Sequence, residues 1–310
     1  MVRTNSQTFF KRTLAMSFNF SRRNLFGTGV LGGAATLAAT TTLISPTPAR
    51  AQGSSGDKLQ QVLARGHLIV GTGSDLPPFY FTNENGDFDG LEIDLARLLA
   101  KGLFNDERKV EFVVQTSDSR IPNLLSNRVD ITIQNLTVTA PRAQQIDFSV
   151  TYYRTGQGLL MRKSGPYKSF DELKGAGARA TISALQNVFI ADWVHEILPD
   201  AKVVQYPTPD AALQSLNAAQ ADAQYVDHSQ IDYMLANMPD RYIDSGFTHK
   251  AGSLACGIAP GQFRFLNFVN TALREAMIGV DYTRYAGMLK KWLGVTVPTP
   301  KIGYPHELIS

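Results

Sequence analysis

The sequence predicts an α/β fold with largely parallel sheets. Short apolar runs of strand length alternate with stretches of helical periodicity from about residue 67 to residue 293, which is the pattern of strand–helix–strand units. Helix-start signals fall between them. The composition, 44% hydrophobic and 18% charged over 310 residues, suits a globular chain of two ordinary domains or one large one.

The elements follow in order. His67–Thr72 reads as a strand, and Glu92–Leu103 as a helix, with Ile93, Leu95, Ala96, Leu98 and Leu99 at helical spacing. Val110–Val114 is a strand, Ile121–Ser126 a short helix, and Val129–Ile133 and Gly158–Met161 are strands. In "SFDE", Ser169 is placed to cap a helix and Glu172 to reach back. Ala178–Ile182 is a short strand. Val188–Leu198 is helical, with Phe189, Trp193 and Ile197 at four-residue steps. Val203–Tyr206 is a strand, and Thr208 caps a helix with Pro209 in its first turn. Ala221–Val226 is a strand, Ile231–Met238 a helix, Leu254–Ile258 a strand, and residues 263–293 are helical. The polar, glycine-containing stretches Tyr152–Gly158 and His249–Gly257 are candidate crossings between domains.

The first 51 residues stand apart. They hold Arg3, Lys11, Arg12, Arg22, Arg23 and Arg50 and no acid. Without them the chain carries 24 basic against 27 acidic residues, so the overall +3 becomes −3. That balance gives no basic footprint for nucleic acid. "SRRNLF" precedes a mildly apolar Gly/Ala/Thr stretch, and "ARA" at Ala49–Ala51 offers a small-x-small cleavage site. This reads as an export signal of twin-arginine type, although Leu25 and Phe26 stand in reversed order. A general secretory signal or an uncleaved anchor is the alternative. Met16 offers a second start nearer the arginines. "QGSSGDK" (52–58) reads as a flexible leader to a periplasmic protein. After residue 51 no apolar run is long enough to span a bilayer.

Chemistry is sparse. The five histidines, His67, His195, His228, His249 and His306, lack paired ligand spacing, so no metal or other cofactor is expected. Cys256 is the only cysteine and lies in an apolar run, which predicts a buried, inert thiol. "GTGSD" lacks the spacing of a dinucleotide loop. The segment that stands out is "QNLTVTAPRAQQIDF" (134–148). It places Thr137, Thr139 and Arg142 just after a strand. Arginine meets a carboxylate with two parallel hydrogen bonds, and hydroxyls and loop N–H groups can complete such a cradle. Arg142 on the surface, capping or paired, is the competing reading.

The segments "LIVGTGSDLPPFYF", "GDFDGLEIDLARLLA", "RIPNLLSNRVDITIQNLTVTAPRAQQIDFSVTYY", "YKSFDELKG" and "ADAQYVDHS" occur in that order. Together, from about Leu59 to Leu293, they resemble the family 3 solute-binding proteins of bacterial ABC importers, which bind polar amino acids. The resemblance implies a two-lobed fold, each lobe a mixed sheet flanked by helices, joined by two hinge strands. Lobe 1 would take 57–153 and 252–310, and lobe 2 would take 156–248. It further implies that Arg142 and Thr137 hold a ligand α-carboxylate with backbone groups near Asn135, and that Asp227 holds the α-ammonium. A helix N-cap is the alternative role for Asp227.

Some positions depart from the family pattern. Gly73 stands where many relatives have aspartate, with Asp75 two residues on. Leu76 and Ser117 replace stacking aromatics, and "SAL" (Ser183–Leu185) replaces a G-S-T turn. Asp75, Ser183 and Gln186 are expected as further cleft residues. Arg120, in "SRIP", resembles the glutamate/aspartate-binding branch, unless it is a solvated loop charge. The expected function is therefore a periplasmic binding subunit for glutamate or aspartate, with glutamine, asparagine or a broad neutral range next. A monomer that docks on a membrane permease is expected. A cyclohexadienyl dehydratase on the same fold would need a catalytic acid in the cleft, and lobe 2 offers no obvious spare glutamate. A sensory domain would be expected to continue into a membrane helix.

Overall fold

The structure is a computed structural model that describes residues 56–301. The export signal, its cleavage site near Ala51, and the chain past residue 301 lie outside the described residues. The chain enters at α1 (Lys58–Arg65), a helix not expected from the sequence although Leu59, Val62 and Leu63 stand at helical spacing. Asp57 caps it, accepting from Leu59 N at 3.0 Å, so Asp57 and Lys58, expected in the flexible leader, belong to this helix and its cap.

Strands β1 (Leu68–Thr72), β5 (Val110–Val114) and β6 (Ile131–Thr132) run parallel in the first lobe, with β1 between the other two. A small sheet of β2 (Asp75–Leu76), β3 (Tyr80–Thr82) and β4 (Phe88–Asp89) lies between β1 and helix α2 (Leu91–Phe104) in the chain. The helix α3 (Arg120–Leu125) follows β5, and the four-residue α4 (Ala140–Ala143) follows β6. Val129–Ile133 was expected as one strand. Only its centre is regular, yet Asp130 N and Ile133 N still bond to Ile69 O and Gly71 O on β1. The Asp130 carboxylate is buried, pairs with Lys58 and Arg65, and accepts from Ile69 N, which ties α1 to the sheet.

Two strands are far longer than the sequence suggests. β7 (Asp147–Arg162) and β11 (Tyr242–Ile258) pair antiparallel over almost their full lengths. They swallow both predicted crossing segments. Glycines and polar residues weaken the local strand signal there, but the paired partner overrides it. The register slips beside Lys250, whose φ is +42°. β7 and β11 belong to both lobes, so the lobe sheets merge into one eight-stranded mixed sheet, in the order β5-β1-β6-β11-β7-β10-β8-β9.

The second lobe holds α5 (Phe170–Ala176), β8 (Thr181–Leu185), α6 (Ile190–Ile197), β9 (Lys202–Tyr206), α7 (Pro209–Asn217), β10 (Ala223–Asp227) and α8 (His228–Asn237). Here β8 pairs parallel with β9 and β10, and β10 pairs antiparallel with β7. The helix starts behave as their sequences require. Ser169 Oγ accepts from Glu172 N at 3.3 Å, and Glu172 reaches back to Lys168 N at 2.7 Å. Thr208 Oγ1 accepts from Ala211 N at 3.2 Å. The expected C-terminal helix breaks at 279–281 into α9 (Phe263–Ile278) and α10 (Tyr282–Leu293), where Glu275 satisfies the amides of Gly279, Val280 and Asp281.

Each lobe has its own apolar core. Val70, Ile93, Leu99, Ile131, Cys256 and Val269 meet in the first. Leu159, Ile182, Val194 and Tyr225 meet in the second, on one sheet face, with Leu160, Leu216 and Ile231 on the other. Burying one such aliphatic side chain is worth about 1.5–3 kcal/mol, so each core can hold its lobe together. Cys256 is fully buried and its thiol is pushed up to about 12 by burial, as an inert cysteine requires. No helix among the described residues is long and apolar enough to cross a membrane.

Gly90 sets the start of α2. Its φ is +126°, and a Cβ there would lie 2.4 Å from the Phe79 carbonyl oxygen. Gly175, inside α5, has open space around it and an ordinary φ. We expect Gly90→Ala to destabilise by roughly 2 kcal/mol or more and Gly175→Ala to be neutral or stabilising by up to about 1 kcal/mol. Urea unfolding of the two variants checks this, and equal effects would count against the strained start.

Candidate functional site

The segment after β6 is held in place from behind. Asn135 adopts φ +45°, in the left-handed region that asparagine tolerates better than most residues. Its backbone N–H donates to both oxygens of Glu92, at 2.9 and 2.8 Å. Glu92 lies in the first turn of α2 and is 1% exposed. The Tyr152 hydroxyl donates to the same carboxylate, and the Tyr285 hydroxyl donates to the Tyr152 carbonyl. Burial raises Glu92 to about 7, with Tyr152, Asn135 N and the charge of Arg120 pulling it back. Further along, Val138 N bonds to Ser253 O and Ala255 N to Leu136 O, so β11 fixes the segment's other side.

This frame aims Arg142. The helix it sits on, α4, is too short to supply an anion site of its own, and Thr139 makes no side-chain cap. The guanidinium is buried, donates to Thr137 O at 2.8 Å, and stacks 5.1 Å from the Phe189 ring of the second lobe. Arg120 is buried too, at 3% exposure, which excludes a solvated loop charge. It donates to Ser117 O (2.7 Å), Gln134 O (3.1 Å) and Ser117 Oγ. Both arginines then reach one atom of the second lobe. Asn187 Oδ1 accepts from Arg142 at 2.5 Å and from Arg120 at 3.2 Å. Among the described residues neither guanidinium forms an ion pair with a carboxylate. Burial lowers both, Arg142 to about 9, with the neighbouring Arg120 charge contributing.

Asp227 stands in the same cavity, at the end of β10. It occupies the N-cap position of α8 but makes no side-chain cap bond. Its Oδ1 instead accepts from Gln157 Nε2 at 2.5 Å, the residue paired with it on β7. Burial raises Asp227 to about 6, opposed by Asn135, Gln157 and Thr155. The Asn135 side chain lies close enough to act on Asp227, yet its Nδ2 makes no hydrogen bond of normal geometry.

The cavity is narrow, with an internal volume of about 50 Å³. Arg120, Asn135, Thr137, Arg142 and Asp227 all line it, so five of the eight residues expected from sequence come together. Leu185, Ile190 and Trp193 supply apolar walls. The other three expected residues are not among its lining residues. Ser183 is fully buried, with its hydroxyl on Ala223 O. Gln186 contributes its carbonyl, which accepts from Ser117 Oγ at 2.8 Å. Asp75 accepts from Asp210 N at 3.1 Å. The last two contacts bond one lobe to the other across the cleft.

Glu92, Asn187, Gln157 and Gln224 belong to the site or its support and were missed from sequence. Glu92 read as an ordinary first-turn acid, and the other three carried no motif. Among the described residues, no group of three or more His, Cys, Asp or Glu could hold a metal ion.

Comparison with known proteins agrees with this architecture. Residues 68–295 match bacterial extracellular solute-binding proteins, family 3. The chain is 29% identical over 243 residues to the ABC transporter glutamine-binding protein GlnH of Bacillus subtilis, covering 77% of this chain and 86% of that protein. It is 28% identical over 189 residues to the glutamate/glutamine/aspartate/asparagine-binding protein BztA of Rhodobacter capsulatus, covering 60% and 56% of the two chains. Among solved structures, the ancestral amino acid-binding protein AncCDT-1, a precursor of cyclohexadienyl dehydratase, superposes with a TM-score of 0.67 at 31% identity. That match covers 76% of this chain and 99% of the other. With its two lobes, its paired crossing strands and a match over most of its length, this chain belongs to the family 3 bacterial extracellular solute-binding proteins.

Proposed function

We propose that the protein is an exported amino-acid-binding subunit of an ABC importer, and that it takes a polar L-amino acid, with glutamate or aspartate preferred. One observation carries the reading. Two buried guanidiniums without a carboxylate partner among the described residues share a cavity with one buried carboxylate. An α-amino acid complements that arrangement. Its carboxylate takes Arg142 with Thr137 and Asn135 beside it, and its ammonium takes Asp227. Closing the lobes removes water and strengthens each contact. A side-chain carboxylate or carbonyl then goes to Arg120. The names of the two relatives are compatible with such ligands.

Glutamine is the second reading, and one observation favours it. Glu92 accepts hydrogen bonds on both oxygens, from Asn135 N and Tyr152, as an ionised carboxylate does. With Glu92 charged, the two arginines and two acids are balanced, which suits a net-neutral ligand. A binding role without turnover fits the single carboxylate among the cavity's described lining residues, since Asp227 is already engaged by Gln157. Absence of prephenate or arogenate consumption is the expected result.

Calorimetry on the ligand-free protein with the common amino acids tests the reading. Arg142→Ala is expected to weaken binding by roughly 2–5 kcal/mol, because it leaves a buried carboxylate unpaired. Unchanged affinity would remove the clamp. Arg120→Ala is expected to weaken glutamate more than glutamine, and equal losses would exclude the side-chain role. Tight binding of lysine and arginine alone would overturn the acidic preference.

The raised Asp227 and Glu92 give a pH dependence with two opposite signs. Their folded-state values, about 6 and about 7, lie above the unfolded range near 4. Stability from these groups is therefore fully present below about pH 4 and is lost as pH rises through 6 to 7. Binding an ammonium needs Asp227 ionised, so affinity falls as pH drops below about 6, approaching tenfold per unit. Asp227→Asn is expected to raise the ligand-free melting temperature at pH 7.5 while weakening binding and flattening its pH profile. A variant that binds as tightly as the wild type both at pH 7.5 and about one unit below pH 6 would exclude the ammonium contact.

A further inference from the structure

One polar group in the cavity is left without a role by the clamp. Gln224 lies in the middle of β10, 1% exposed, and lines the same cavity as Arg142 and Asp227. Its Oε1 is shut off from solvent and has no donor. Its cross-strand neighbours supply none. Ser183 on β8 commits its hydroxyl to Ala223 O, and Leu160 on β7 has nothing to give. Burying an amide oxygen without a partner opposes folding, and an apolar residue would fill this strand position at lower free energy. A carboxamide held there, against the cavity, is matched to a group that arrives with the ligand.

We propose that Gln224 reads the end of the ligand's side chain and is the specificity-determining residue contributed by the second lobe. The inference rests on the amino-acid reading of the cleft. A carboxamide offers an acceptor at one end and two donors at the other. Once the carboxamide turns so that its oxygen, shut off in the structure, faces the cavity, that oxygen accepts from the amide of glutamine. With the two ends exchanged, its N–H groups donate to the carboxylate of glutamate. Gln224 therefore admits the acid and the amide alike and disfavours an apolar side chain of similar length, which would leave it unpaired. This gives the site a chemical class of ligand, polar side chains ending in a planar oxygen-bearing group.

The test is calorimetry of wild type, Gln224→Met and Gln224→Glu with glutamine, glutamate and methionine. Wild type is expected to prefer glutamine to methionine. Gln224→Met is expected to reduce that preference by about tenfold, the scale of one buried hydrogen bond, without lowering the ligand-free melting temperature. Gln224→Glu places an acceptor-only group there and is expected to weaken glutamate at least about tenfold more than glutamine. If Gln224→Met changes glutamine and methionine equally, or changes neither, the residue only packs and the proposal is overturned. If Gln224→Glu does not fold, the methionine comparison alone decides. A wild-type protein that binds no L-amino acid would instead overturn the reading of the cleft, and this proposal with it.

Discussion

Asn187 Oδ1 bridges two arginines that have no carboxylate between them, and much of the molecule follows from that contact. A guanidinium taken out of water loses its hydration and needs acceptors in return. Among the described residues Arg120 and Arg142 find only neutral ones: carbonyls of Ser117, Gln134 and Thr137, the Ser117 hydroxyl, and the Asn187 amide. Charge-assisted bonds to a carboxylate are about twice as strong as bonds between neutral groups. The closed cleft therefore holds two cations in a serviceable but second-best arrangement. In the proposed binding mode a ligand carboxylate takes the acceptor position that Asn187 Oδ1 fills between the two arginines.

That arrangement works only if the arginines stay put, and their support is remote from the cleft. Gly90 lets α2 begin against the Phe79 carbonyl. The helix start then points Glu92 inward, and Glu92 grips Asn135 N. Tyr152, on the crossing strand β7, locks the carboxylate, and Tyr285 on α10 locks the Tyr152 backbone. A glycine, an acid and two tyrosines from three parts of the chain thus set the backbone of one binding segment. The same crossing strand carries Gln157 on to Asp227, so the ends of the proposed clamp are tied to one element.

How far the sequence reveals this depends on the kind of information involved. Strands and helices with strong local signals, such as Val110–Val114, Lys202–Tyr206 and the Thr208-capped helix, lie close to their expected places. The lengths of β7 and β11 were hidden because their pairing partners lie about 90 residues apart, and glycines interrupt each pattern. At the site, Arg142, Thr137, Asn135, Asp227 and Arg120 line the cavity, and they were picked out by the family segments in which they stand, since local pattern alone left Arg142 open between a cradle and the surface. Asn187 was not, because an asparagine beside Val188 carries no signal until the lobes meet. Ser183, Gln186 and Asp75 show the opposite failure. Their positions along the chain are near the cleft, but strand pleat and lobe contacts direct their groups elsewhere.

On the proposed reading of the cleft, the choice between an acid and an amide ligand turns on charge rather than shape. Arg120 and Arg142 contribute two positive charges, and Asp227 contributes one negative. If Glu92 is ionised, the cavity and its support are neutral, and a zwitterion enters without changing the balance. If Glu92 holds a proton, one positive charge is left over, and a ligand of net charge −1 cancels it. Burial pushes Glu92 up to about 7, against Tyr152, Asn135 N and the charge of Arg120. It does not touch the cavity, yet it reports to it through Arg120 and Asn135. A small free-energy difference at a buried glutamate can thus shift preference between two ligands of nearly the same shape, and both can share a pocket whose contacts are otherwise fixed.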